Sequence, residues 1–200
     1  MTDDAFSATD DGLARAVLEI ERHAAEAGWD QPARLFALVD TARLVEREPQ
    51  LAGAVDDSPF TPVEQEGLSA GRPLEDQLAG ISWPDTVDGC AALVERVVLP
   101  PDIEAQLPDE PGRAASFASQ HPRRHEVRIV AAATRGGASY CALRLRAHDD
   151  DASVLTGPHL VPGLVELVRG TLDDDTEDHP GDHPGDHTGD TERAPAGERP

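Results

Sequence analysis

Three arginines are the residues of this chain whose type and spacing could bind a ligand. Arg128, Arg144 and Arg146 lie in two strand-like runs that a Gly-rich turn separates. Arginine presents a planar fork of N–H donors that can bind a carboxylate or a phosphate bidentately. The row is therefore a candidate site for an anion or an acidic partner. The alternative is an ordinary exposed sheet face, in which Glu126 and Glu95 neutralise the arginines as cross-strand pairs.

A β-hairpin over residues 126–147 must position these arginines. Apolar residues alternate in both of its runs, which the turn signal Arg135-Gly-Gly separates. A three-residue loop places Ile129 opposite Leu143, whereas a two-residue loop at the glycines would place Ile129 opposite Arg144. Because a slip of one residue turns every side chain to the other face, the apolar match predicts the three-residue loop, with a glycine in the left-handed conformation. The three arginines then share the opposite face, which we expect the helices at 10–27 and 162–172 to leave uncovered.

Histidines and aspartates are the candidate metal ligands. His179, His183 and His187 recur with a period of four in the acidic segment 173–200, and imidazole is a ligand for zinc, nickel and copper. Prolines and glycines in the repeat prevent a helix from aligning these side chains, so we predict no preorganised metal site. The segment has almost no apolar side chains to offset its ordering entropy, and we predict a disordered tail. The acidic loop 148–151 lacks the alternating ligand positions of a calcium loop.

No catalytic constellation stands out in the sequence. It contains no Gly-rich phosphate loop, no serine nucleophile elbow and no Cys-x-x-Cys pair. Cys90 and Cys141 lie in apolar runs without a local base or positive charge that would activate a thiolate. We predict that both are reduced and buried, as cytosolic cysteines usually are. The sequence therefore predicts neither a catalytic residue nor a cofactor, and it leaves open whether the protein is an enzyme.

The net charge excludes several classes of partner. At −22 it argues against nucleic acid binding, which requires a basic surface, and against anionic membranes. No apolar run approaches the roughly 20 residues of a membrane span, and the acidic N-terminus lacks the pattern of a signal peptide. We therefore expect a cytoplasmic protein. All 17 basic residues are arginine, which together with abundant Ala, Gly and Pro is typical of a GC-biased genome.

The order of the predicted elements favours an α+β fold. We predict one domain over residues 1–172, with strands grouped between helices and a long loop at 50–75. In outline this resembles the small secretion-chaperone fold, with the helices at 10–27 and 162–172 on one face of an antiparallel sheet. Such a likeness of fold carries no function. The other predicted elements are strands at 34–41 and 90–99 and short helices at 42–48, 74–78 and 113–120.

Several short segments of the chain resemble segments of one protein family. They are Gly28-Trp-Asp-Gln-Pro32, Arg34-Leu-Phe-Ala-Leu-Val39, Thr61-Pro-Val-Glu-Gln-Glu66, Trp83-Pro-Asp85, Gly89-Cys90, Val94-Glu-Arg96, Cys141-Ala-Leu-Arg-Leu-Arg146 and Leu155-Thr-Gly-Pro158. Together they resemble a family of uncharacterised actinobacterial proteins over about residues 10–172. The resemblance implies no activity and transfers no catalytic or binding residue, and the Asp-His tail lies outside it.

Two hypotheses about function remain open. The first is a non-enzymatic binding or protein-interaction module, whose helix-free sheet face or edge strand binds a partner or a second copy of the chain. The second is a small enzyme or anionic-ligand-binding protein that uses the arginine row and the loop 50–75. A deep pocket lined by Arg128, Arg144, Arg146 and loop residues would favour the second hypothesis. The first is preferred because no motif positions an acid, a base or a nucleophile.

Overall fold

A six-stranded antiparallel sheet forms the centre of the fold in a computed structural model that describes residues 8–69 and 71–173. The strands, in chain order, are β1 (Arg34–Asp40), β2 (Phe60–Gln65), β3 (Gly89–Val98), β4 (His125–Thr134), β5 (Ser139–Leu145) and β6 (Leu155–Gly157). Across the sheet they follow the order β2-β1-β3-β4-β5-β6, and every neighbouring pair is antiparallel. The predicted α+β class with an antiparallel sheet is confirmed.

Helices accompany the sheet on both of its faces. The α-helices of the described residues are α1 (Ala8–Glu26), α2 (Thr41–Arg47), α3 (Leu74–Leu78), α4 (Pro101–Glu104), α5 (Pro111–Gln120) and α6 (Pro162–Gly170). Short 3-10 helices span Pro49–Gly53, Arg146–His148 and Asp151–Ser153. Every predicted helix is present, with bounds shifted by at most two residues, whereas the sequence did not predict α4. None of these helices is long and apolar enough to cross a membrane.

The two terminal helices cover opposite faces of the sheet. The apolar stripe of α1, including Leu13 and Val17, packs with Leu93 and Val130 in one cluster. The apolar side of α6 packs on the other face in a second cluster. The prediction that both helices lie on one face, opposite the arginines, is therefore wrong. The physical reason is that β3 and β4 are buried on both faces, so each face needs a cover.

The predicted hairpin register is confirmed. Ile129 lies opposite Leu143, and Arg128 lies opposite Arg144. Gly137 has a φ of 89°, the left-handed conformation that the three-residue loop requires. Arg146 follows the end of β5 and begins a 3-10 turn, so it lies beyond the strand that carries Arg144. Local sequence was therefore sufficient to predict this hairpin.

The segment 50–75 is more ordered than a long loop. It contains the edge strand β2, which pairs with β1 along its whole length, and Phe60 at the start of β2 is buried. The sequence did not predict this strand because Pro62 and the exposed Glu64 are typical of a loop. An edge strand tolerates both, since only one of its sides must supply ladder hydrogen bonds. The predicted tail, with the candidate ligands His179, His183 and His187, lies outside the described residues except for Asp173.

Candidate functional site

Arg144 lies buried under α1, where three carboxylates surround it. Its Nε donates to Glu21 Oε1 at 2.6 Å, and its Nη2 donates to Glu21 Oε2 at 2.8 Å and to Asp151 Oδ1 at 2.7 Å. The side chains of Arg144 and Glu21 are each only 3% exposed. Hydrogen bonding to Glu21 raises the pKa of the Arg144 guanidinium above its ordinary value. Asp149 accepts from Arg144 Nη1 at 3.4 Å and from Trp29 Nε1 at 2.8 Å. The ion pair of Arg144 with Glu21 fixes α1 to β5.

Arg128 is fully buried and fixes the connector between α1 and β1. Its Nε and Nη2 donate to Glu95 Oε1 at 3.2 and 2.9 Å, and Nη2 also donates to the carbonyl oxygen of Gly28. Glu95 Oε2 accepts from the backbone N–H groups of Asp30 at 2.7 Å and Gln31 at 3.3 Å. Gly28 and Asp30 both have left-handed backbone, with φ of 83° and 65°. One carboxylate therefore neutralises a buried arginine and holds a sharply bent connector.

Trp29 contacts two members of the arginine row. The Cζ atoms of Arg128 and Arg146 lie 4.5 and 5.5 Å from the centroids of its ring system, within the range of cation–π attraction. Arg146 donates from both terminal nitrogens to the carboxylate of Asp30 at 2.9 Å each, and from Nη1 to Glu126 Oε2 at 2.7 Å. The segment Gly28-Trp-Asp-Gln-Pro32 thus packs onto the row rather than forming a separate site.

The row is surrounded by the protein's own acidic groups. Arg128 and Arg144 are buried, and Arg146 is 41% exposed, so the expectation of a row on a helix-free face is corrected. Glu95 and Glu126 lie beside the arginines, as the alternative interpretation predicts, and Glu21 was missed. The sequence did contain an indication of its role, because Glu21 is an acidic residue that falls within the buried apolar stripe of α1. Binding of an external anion or partner at Arg128, Arg144 and Arg146 stays a prediction that these contacts do not favour.

A cavity of about 330 Å³ opens beside α1. Arg144 lines it together with Asp56 and Ser58 of the segment 50–75, whereas Arg128 and Arg146 are not among its lining residues. The pocket that would favour a ligand-binding protein is thus present in part. Within residues 8–69 and 71–173, no group of three or more His, Cys, Asp or Glu side chains could hold a metal ion.

The two cysteines are free and buried, as predicted. Cys90 Sγ donates to the carbonyl oxygen of Val168 at 3.3 Å and lies 3.2 Å from Thr171 Oγ1, beside the indole of Trp83. Burial raises the pKa of the Cys90 thiol from its ordinary 9.0 to about 11, and burial also raises the pKa of Cys141. Both thiols are therefore protonated near neutral pH and are poor nucleophiles.

We expect both thiols to react slowly with a maleimide in the native protein and quickly after unfolding. The raised pKa of Cys90 also sets a pH dependence: the unfolded thiol ionises first, so stability falls as pH rises from about 9 towards 11. Stopped-flow labelling and denaturant titrations measure the two effects, and Cys90→Ala should remove most of the second. Rapid native labelling of either cysteine would contradict the assignment.

Comparison with known proteins assigns the chain to a family. The family model of the PPA1309-like proteins matches residues 13–173, which include all six strands and most of α1. No curated protein and no solved structure matches the chain. The resemblance to an uncharacterised family over about residues 10–172 is thereby confirmed. The chain belongs to the family of PPA1309-like proteins.

Proposed function

We propose that this protein is a small non-enzymatic interaction module that binds a basic, apolar segment of a partner protein. The observation that carries the proposal is a groove between α3 and α6 with an apolar floor and an acidic rim. The proposal needs no acid, base or metal to act on the partner. It requires only that the segment's apolar side chains enter the groove while its cations meet the rim.

The floor of the groove is apolar and open. Leu78, Ile81 and Leu167 line a space of about 420 Å³, and 37% of the surface of Leu167 is exposed. Gly163 and Gly170 of α6 also line it, and a Cβ atom added at either glycine would meet no atom within 4 Å. An apolar partner side chain can therefore enter between the helices and contact Leu167.

The rim of the groove is acidic. Its charged lining residues are Glu75, Glu166 and Asp173, and no arginine is among them. Glu75 accepts a 2.6 Å hydrogen bond from Arg96, which lowers the pKa of its carboxyl and also offsets its charge, so Glu166 and Asp173 supply most of the rim's net charge. The sequence that follows Asp173, residues 174–200, adds nine acidic residues against two arginines. This charge should attract a basic segment and make its binding weaken with added salt.

The sheet edges are less suitable for binding a partner. Pro62 in β2 has no N–H to donate, and β6 is only three residues long. Leu155 in β6 is 56% exposed, but it stands on an edge too short for an extended ladder. Self-association would also bring together two chains of net charge −22. We therefore favour the groove over either edge and over a second copy of the chain.

The second candidate function is a small enzyme or a protein that binds an anionic ligand. One observation favours it, the cavity beside α1, which Arg15 and Arg22 line together with Arg144. We propose a cytoplasmic location for either function, because both cysteines are free thiols. The net charge of −22 disfavours nucleic acid and anionic membranes as partners in either case.

Peptides selected from a random display library on the immobilised protein should carry a net positive charge and at least two large apolar residues. Replacing Leu167 by serine should weaken their binding at least tenfold, because the partner side chain loses its contact on the groove floor. Glu166→Gln should weaken binding less and should reduce its salt dependence. Fluorescence anisotropy of a labelled selected peptide measures both effects.

Leu155→Ser is the control, since it makes the same substitution at another exposed leucine, 56% against 37% for Leu167, which does not line the groove. It should leave peptide affinity unchanged. Selected peptides without positive charge, or equal loss of affinity in the Leu167 and Leu155 variants, would refute binding at the α3–α6 groove.

A further inference from the structure

We propose that the cavity beside α1 binds a small zwitterion, a molecule with an ammonium group and a carboxylate group joined by an apolar stem. This site is separate from the α3–α6 groove and does not depend on the proposed function. The cavity lies between the exposed side of α1 and two loop segments, one around Ser58 and one that includes Asp151 and Val154. Its volume of about 330 Å³ falls in the range of small-molecule sites.

One wall of the cavity is a face of α1. Arg15, Leu18, Glu19 and Arg22 line it, and their spacing of three, four and seven residues places them on one side of a helix. Leu18 lies between the two arginines and is 42% exposed, so it offers an apolar contact surface. The wall thus offers a cation, an apolar patch and an anion within two helical turns.

Ser58, which also lines the cavity, carries a buried hydroxyl that lacks a partner. Ser58 is 5% exposed, and its Oγ atom is buried without a hydrogen bond. Its backbone N–H donates to Asp56 Oδ1 at 2.9 Å, which fixes the position of the residue. A buried hydroxyl without a partner costs free energy, and a ligand group in the cavity would offset that cost. Val154 supplies a second apolar contact to the ligand stem.

Charges of both signs face this cavity without forming direct ion pairs with each other. In the described part of the chain, no direct ion pair involves Arg15, Glu19, Arg22 or Asp56. Burial, followed by the neighbouring Asp56, raises the pKa of Glu19, while Arg22 and His23 act in the opposite direction. A ligand ammonium between Glu19 and Asp56 would relieve their repulsion, and it would donate a hydrogen bond to Ser58 Oγ once that buried hydroxyl rotates toward the cavity. The ligand carboxylate would bind the guanidinium groups of Arg15 or Arg22.

The surrounding groups explain why both ligand charges are needed. Arg144 is already bound by Glu21 and Asp151, so it closes the inner end of the cavity and offers the ligand no unpaired charge. The remaining lining has two guanidinium groups and two carboxylates, which sum to zero. Ser58 and Asp56 also line a second cavity beside α2, but no basic side chain lines that one. The zwitterion is therefore matched to the cavity beside α1.

Three probes of equal stem length test the charge requirement: 6-aminohexanoate, hexylamine and hexanoate. We expect 6-aminohexanoate to bind at least tenfold more tightly than either probe with a single charge, and to shift amide resonances of residues 15–22 and 56–58. Two-dimensional NMR titration of the full chain measures affinity and location together. Equal binding of hexylamine would identify a cation site, equal binding of hexanoate an anion site, and no binding an empty groove. Each of these results overturns the proposal.

Variants of lining residues test the location. Ser58→Ala and Glu19→Gln should each weaken 6-aminohexanoate binding at least threefold, and Arg22→Gln should reduce the preference for the zwitterion over hexylamine. Glu26→Gln removes the same charge from α1 outside the cavity and should leave affinity unchanged. Thermal melts verify folding, and Ser58→Ala should be at least as stable as the parent because it removes an unpartnered hydroxyl. Undiminished binding in both Ser58→Ala and Glu19→Gln would overturn the proposal.

Discussion

Replacing Arg144 by glutamine is expected to lower the free energy of unfolding by about 3–5 kcal/mol, because it leaves a buried carboxylate without its partner. That carboxylate belongs to Glu21, whose side chain is 3% exposed and which accepts two hydrogen bonds from Arg144. Asp149 and Asp151 lose less, since they are 46% and 83% exposed and can be solvated. Urea titration followed by circular dichroism measures the change.

Two further variants distinguish a buried ion pair from a general loss of packing. Arg146→Gln makes the same substitution at a member of the row that is 41% exposed. It should lower the free energy of unfolding by only a small fraction of the loss caused by Arg144→Gln. The double variant Glu21→Gln with Arg144→Gln should recover at least half of the loss, because neither charge then remains buried alone. If Arg144→Gln costs no more than Arg146→Gln, the pair under α1 does not form as described.

The hairpin and the class of the fold could be predicted from sequence because their determinants are local. Alternating apolar residues and a Gly-rich turn define the pairing of β4 and β5, and Ile129 lies opposite Leu143 as expected. The helix bounds follow from the 3.6-residue period in the same way. Neither prediction required knowledge of which residues meet across long stretches of chain.

The burial of Arg144 under α1 could not be predicted because its main partner is remote in sequence. Glu21 and Arg144 are 123 residues apart, whereas Glu95, 33 residues from Arg128, was predicted as a cross-strand partner. A charged row on a strand normally indicates a solvated face, so the sequence placed α1 on the other side. The same face of the sheet also carries Val130, which needs a cover, and α1 provides both that cover and a carboxylate.

The two candidate sites differ in how much of each was visible in the sequence. Arg144 and the segment 50–75 were both named beforehand, yet the cavity wall formed by Arg15, Leu18 and Arg22 was not, because an exposed helix face shows no sign of a neighbour. The α3–α6 groove was invisible for another reason. Its two helices meet only in the tertiary fold, and α3 is five residues long.

Replacing Glu95 by alanine is the second large effect that we expect. It leaves Arg128 fully buried without a counter-charge, and loss of one partner of such a pair costs about 3–5 kcal/mol. It also removes the acceptor of the Asp30 and Gln31 N–H groups. Denaturant titration measures the free energy of unfolding, and hydrogen exchange measures the protection of the backbone amides at residues 28–32. In the variant, these amides should lose more protection than the amides of the rest of the protein.

Two controls separate the charge of Glu95 from its hydrogen bonds. Glu75→Ala removes a carboxylate that is 42% exposed and 2.6 Å from Arg96, itself 44% exposed, so it should change stability little and leave the connector protected. Glu95→Gln keeps an acceptor oxygen for the connector but loses the negative charge that neutralises Arg128. We expect it to be destabilised nearly as much as Glu95→Ala while the amides of residues 30 and 31 stay partly protected. Full protection of the connector in Glu95→Ala would mean that the bend at Gly28 and Asp30 is held by Trp29 and Arg146 instead, and the role assigned to Glu95 would be wrong.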